Sequence, residues 1–242
     1  MRAGGAEVGG TVLELLLALT LGAVVLGAFV GVLGGSLRWS ESLVARAEGL
    51  EVIRTVWVVL DEELRPGIAG RDWDVDGDGV LLLRAFRGVG RICGEVEGLD
   101  RWAVAYRGRR LPDPGRDSVL VLGDDGGWRS FELTGVDDGG ECGQDPSHRS
   151  LVVRWSQPSA PPPVLIRVFE SGEYHLADGA FRYRRGEGGR QPLTPERLAP
   201  GSVFRRAAGS GGPLEVRVEL LPGEAGGGAG LFEWSVAGTG GE

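Results

Sequence analysis

Between Thr11 and Gly35 the chain reads TVLELLLALTLGAVVLGAFVGVLGG, an apolar run broken by one charge, Glu14. A bilayer core takes roughly 20 helical residues at about 1.5 Å each, so this run predicts a membrane-spanning helix. A cleaved secretory signal has a shorter apolar core and a basic leader. Here the leader MRAGGAEVG sets only Arg2 and the amino terminus against Glu7. Past Gly35 the pattern turns to a helical period. Leu43, Ala47, Leu50, Ile53, Trp57, Leu60 and Leu64 recur every three or four residues, with Arg46, Glu48, Arg54 and Asp61 mostly off that stripe. Such a stripe is expected to be covered by the chain's own sheet, because a bare apolar face of that length promotes aggregation. Pro66 and Gly67 supply a stop. With no strong breaker before them, the two segments predict one helix from Thr11 to Arg65, on the order of 80 Å long. Its transmembrane part covers residues 10–35 and its amphipathic part 36–65.

From about residue 68 to the end, short apolar or alternating runs are separated by Gly, Pro and Asp. Strands are predicted at Val80–Phe86, Trp102–Tyr106, Ser118–Leu122, Ser130–Thr134, Leu151–Trp155, Val164–Phe169, Glu173–Ala177, Ala180–Arg184, Leu214–Leu220 and Leu231–Val236. In EYHLADGAFRYRR, Asp178 and Gly179 form the pair that a two-residue type I′ hairpin turn requires. The predicted fold class is therefore α+β: a long amino-terminal membrane-spanning helix packed on an antiparallel β-sheet domain of residues 66–242.

Composition changes this picture in three places. The chain has 242 residues and a formal net charge of -8, and its 26 basic residues are all Arg. So acidic a protein is a poor match for a nucleic acid backbone or an anionic lipid surface, and no nucleic acid partner is expected. The weak positive-inside bias favours a cytoplasmic amino end, which would export everything beyond the span. In that compartment Cys93 and Cys142, the only cysteines, are expected to be an oxidised pair; two buried thiols are the alternative.

Candidate chemistry is sparse. DWDVDGDGV places Asp74, Asp76 and Asp78 before Gly79 in the D-x-D-x-D-G order of a calcium loop, but position twelve is Ala85, where a bidentate acid belongs. An acidic turn explains the same residues, and no cofactor is expected beyond that incomplete calcium set. His148 and His175 are the only histidines, and neither has a Cys or another His at metal-binding spacing. No G-x-S-x-G, no H-E-x-x-H and no phosphate loop with its Lys is present, so the chain is not expected to be an enzyme.

The junction GGTVLELLLALT, Gly9 to Thr20, resembles the class III signal of type IV prepilins. That family has a Gly before the cut, an uncharged stretch, and a Glu at the fifth mature position. Gly9 matches the residue before the cut, Gly10 the first mature residue and Glu14 the fifth, so residues 1–9 become the leader. Gly10 departs from the usual Phe or Met. VLDEELRPG, LLLRAFRG and EYHLADGAFRYRRGEGGRQPLTPERL resemble J-type pseudopilins of type II secretion systems and W-type minor pilins. The resemblance implies a structural subunit processed and methylated by a prepilin peptidase, held in the inner membrane with its domain in the periplasm, and assembled with other pilin-like subunits near a filament tip. It also gives Glu14 a partner, the new amino terminus at Gly10 of an adjacent subunit; its nearest basic residues in sequence are Arg2 and Arg38. Gly27, Gly31 and Gly35 recur every fourth residue and offer a face for close helix contact. The competing reading is a periplasmic binding module whose uncleaved helix only tethers it.

Overall fold

The structure, a computed structural model, describes residues 12–77, 79–96, 101–143, 147–156, 161–207, 212–222 and 230–236. One α-helix, α1, runs from Val12 to Leu64 over 53 residues, close to the predicted span. The chain divides into two compact units, Met1–Leu50 with Pro222–Ala229, and Glu51–Leu221 with Gly230–Glu242.

In the first unit the apolar side chains of α1 from Val12 to Leu33 are exposed, and the helix is long and apolar enough to cross a membrane. Two hydroxyls, one in this stretch and one just past it, are satisfied within the helix. Thr20 Oγ1 donates to the Leu17 carbonyl at 3.0 Å, and Ser36 Oγ to the Leu33 carbonyl at 2.9 Å. Back-bonding of this kind lets a polar side chain sit in an apolar run without a partner from another chain.

The second unit opens with the last turns of α1, where Val52, Val56, Leu60 and Leu64, four residues apart, are buried. This corrects the predicted stripe: Leu43, Ala47, Leu50 and Trp57 are exposed, and only Leu60, Leu64 and half-buried Ile53 belong to the covered face. The reason is that the segment from Val52 to Leu60 is apolar on most sides, so periodicity alone did not select the face. Successive helical residues turn by about 100°, which sets Trp57 roughly a quarter turn from the mid-line of the buried row.

The strands are β1 (Trp73–Val75), β2 (Leu81–Val96), β3 (Arg101–Gly108), β4 (Ser118–Gly123), β5 (Trp128–Asp138) and β6 (Arg149–Trp155). They continue with β7 (Pro163–Ala177), β8 (Ala180–Arg185), β9 (Gln191–Pro192), β10 (Val203–Arg206), β11 (Leu214–Glu219) and β12 (Leu231–Val236). Every ladder between them is antiparallel. The order β2-β3-β6-β5-β4-β7 returns to β2, because β2 pairs with β3 on one side and β7 on the other at the same residues. The result is a closed six-stranded barrel with a Greek-key connection, since β4, β5 and β6 are consecutive neighbours and β7 returns beside β4. A barrel this narrow is filled by side chains. Val104, Val119, Leu133, Leu151, Val153, Ile166 and Val168 do so, with Trp155 stacked on Trp102.

Two strands run beyond the barrel. The first part of β2 and the last part of β7 stay paired to each other and gain β1 on one edge and β8 with β9 on the other. A separate three-stranded sheet, β10-β11-β12, completes the unit. The second core lies here, where Leu60 and Leu64 of α1 meet Leu81 and Leu83 of β2, Phe181 of β8, and Phe204 and Val216 of the small sheet.

The length of β2 and β7 corrects the sequence reading, which ended β2 at Phe86 and split β7 in two. Glycines at 88, 90, 94 and 172 caused both errors, because Gly in a strand interior weakens it. The structure covers two of them with tyrosine rings: Tyr106 lies over Gly88, and Tyr183 over Gly172, so tightly that no Cβ fits at either. The hairpin prediction holds, with Asp178 at φ 50° and Gly179 at φ 74° between Ala177 and Ala180.

Candidate functional site

Gly9 and Gly10, the residues of the junction, lie outside the described residues, as does Asp78. Glu14 falls in the first turn of α1, where an acid suits the helix N-terminus. Gly27 and Gly31 face open space, since a Cβ at either would meet nothing within 4 Å. The helix surface around them is therefore available to other helices or to lipid.

Cys93 and Cys142 form the expected disulfide, with Cα atoms 5.4 Å apart. Cys93 is the extra residue of a bulge in β2 opposite β3, and Cys142 follows the end of β5. The bond thus clips the β5–β6 connection to the barrel wall, beside Ala103 and Ala105.

The acidic turn is occupied by the protein's own donors. Asp74 Oδ1 accepts the Val75 amide at 2.8 Å and pairs with Arg206 Nη1 at 2.7 Å. Asp76 Oδ1 accepts the Val80 amide at 2.8 Å, holding the turn into β2. Among the described residues, no group of three His, Cys, Asp or Glu is placed to hold a metal ion.

The most substantial polar cluster was not anticipated from the sequence. Glu170, in the middle of β7, is 1% exposed. Its Oε1 accepts the Tyr183 hydroxyl at 2.7 Å, and its Oε2 accepts Arg110 Nη2 at 2.9 Å and Arg116 Nη2 at 3.0 Å. Asp117, also buried, takes both terminal nitrogens of Arg110 at 2.6 Å and the Asp113 amide at 2.8 Å. Burial opposes ionisation of Glu170, but Tyr183, Arg87 and Arg116 outweigh it and hold its carboxyl below the usual range. The Tyr106 hydroxyl is pushed up to about 12, by burial first and then by Asp117, while it donates to the Arg110 carbonyl at 3.0 Å. The loop from Arg109 to Asp117 is thereby locked to β7. The bonds among Arg110, Asp113 and Asp117 are local, but only long-range pairing brings Glu170 to this loop.

His175 is buried, and burial followed by Arg190 lowers its pKa although Glu173 pulls the other way. Its Nε2 lies 3.2 Å from Glu173 Oε2, which also pairs with Arg184. Glu173 thus sits between His175 and Arg184.

No protein-family model, curated protein or solved structure matches the chain.

Proposed function

We propose that the chain is a prepilin-like minor subunit, cut between Gly9 and Gly10 by a membrane prepilin peptidase and assembled into a type IV pilus or a type II secretion pseudopilus, near its tip. In this reading α1 spans the inner membrane and the β unit lies in the periplasm. The subunit carries no chemistry of its own. The observation that supports the reading most is the juxtaposition of three features. A Gly junction with Glu14 at the fifth mature position stands directly before an exposed apolar helical segment, and the same helix ends as a core element of a disulfide-tied β unit. An acid in a membrane segment is expensive and is retained where it has a task, here the pairing with a neighbour's amino terminus.

Coexpression with an active prepilin peptidase, followed by intact mass, tests the proposal. The expected mature species begins at Gly10. Persistence of residues 1–9 while a control prepilin is processed would overturn it and favour the tethered periplasmic module. In the processed protein, Glu14→Ala should weaken crosslinking to partner pilins while the exported domain stays folded.

A further inference from the structure

Beside the end of α1, a depression of about 700 Å³ opens on the outside of the barrel and is lined by Arg87, Arg107, Arg109 and Arg167. In a protein with a net charge of -8, four arginines bordering one depression are a local concentration of positive charge. The backbone explains their proximity. Val89 of β2 pairs with Arg107 of β3 on one side and Arg167 of β7 on the other, so both arginines share one face of the sheet, roughly 10 Å apart across two strand spacings. Arg87 is the extra residue of a bulge in β2 opposite β7, and its carbonyl accepts the Arg109 amide at 2.9 Å.

The charges are not balanced internally. Glu63 takes Arg87 at 2.7 Å, and Glu62 takes Arg109 at 3.2 Å. Arg107 is exposed and makes no ion pair with a described residue. Arg167 lies flat on Phe86, 3.4 Å from the ring centroid, and donates to the Pro66 carbonyl at 2.7 Å, with no carboxylate in contact. Burial lowers its pKa, with Asp72 opposing, as expected of a guanidinium that has lost water without gaining an anion. Arg107 and Arg167, on the two strands that flank β2, thus carry positive charge that no carboxylate in contact offsets, and a bound anion would be favoured beside them.

We propose that this depression binds an acidic segment of a partner protein, one that brings two carboxylates to Arg107 and Arg167. The spacing of the two arginines favours an extended peptide over a single small anion, because long guanidinium arms about 10 Å apart at their roots can each take one carboxylate of a chain crossing the sheet. The depression is open to solvent, which leaves room for a chain laid across it. The inference rests on the second unit alone and stands whether or not the leader is cleaved.

Full-length protein in a non-ionic detergent, titrated into a fluorescein-labelled hexaglutamate peptide at low salt, tests it by anisotropy. The expected result is saturable binding, lost on raising the salt and absent for a hexaglutamine peptide. Arg107→Gln, at an exposed position that leaves the fold intact, should weaken binding about tenfold, the loss of one charge-assisted contact. Arg167→Gln should weaken it similarly, and Arg205→Gln, on β10, should not. Equal affinity for R107Q and the natural protein, or no binding at all, would overturn the proposal. So would displacement by inorganic phosphate at the same concentration as unlabelled peptide, which would mark a small-oxyanion site.

Discussion

Replacing Glu170 by Gln removes one charge from the buried cluster while keeping its shape. The side chain is fully buried and accepts three hydrogen bonds, two of them from arginines. Breaking one partner of a buried ion pair costs roughly 3 to 5 kcal/mol. Two features reduce that here. The Arg110 and Arg116 side chains are 28% and 41% exposed, so water takes over part of their solvation, and Arg110 keeps both bonds to Asp117. Against this, one Gln amide nitrogen must face a donor, either the Tyr183 hydroxyl or a guanidinium. The expected loss is about 2 kcal/mol at pH 7, read from urea unfolding followed by tryptophan fluorescence. The pH dependence carries a sign. The folded carboxyl sits below its usual range, so its stabilisation is fully present above an unfolded value of about 4.3 and is lost as pH falls through the folded value. The gap between natural and E170Q protein should therefore be widest near neutrality and close in acid. A gap under about 0.5 kcal/mol at pH 7, or one that widens towards pH 3, would refute the assignment of Glu170 as a stabilising anion.

The helix face is tested by a pair of truncations: Leu60→Ala should cost about 2 to 5 kcal/mol, and Trp57→Ala, half exposed, under about 1, by the same unfolding measurement. The disulfide closes a loop with a sequence separation of 49, for which chain entropy gives about 4 kcal/mol. Unfolded exported protein should titrate no free thiol, and the Cys93→Ser, Cys142→Ser double variant should unfold at lower urea. Gly27→Leu with Gly31→Leu should leave membrane insertion and the β unit unchanged, because among the described residues nothing lies within 4 Å of a Cβ at either position, yet should reduce capture of partner pilins. Undiminished capture would remove the glycine face from assembly.

What was legible in the sequence is what local chemistry specifies. The helix from Val12 to Leu64 follows from an unbroken apolar and then mixed run ended by Pro66, and the hairpin at Asp178 follows from the need for positive φ. The cysteine pair followed from there being only two. The barrel was not legible, because its closure depends on β2 and β7 continuing through glycines that look like breaks. Rings from Tyr106 and Tyr183, many residues away, fill the space that those glycines leave. The anionic cluster was hidden for the same reason: Arg110 and Glu170 are 60 residues apart and meet only once the barrel has formed. Asp74 and Asp76 were visible as acids, but Arg206 and the turn amides take their carboxylates, and Arg206 lies 132 residues from Asp74. The buried row of α1 was misread because Val52 and Val56 compete with Trp57 for the same period.

β2 and β7 each thread both hydrophobic cores without interruption. Their shared ladder, from Leu81 with Tyr174 to Arg91 with Leu165, therefore belongs to neither core alone. Opening the helix-facing layer would strip one end of this ladder, and opening the barrel would strip the other. Amides along it should exchange with deuterium only through the global transition, as the slowest set in the protein, while edge strands such as β9 exchange through local fraying. The two cores then form a single cooperative folding unit, and neither can be excised and remain folded without the other.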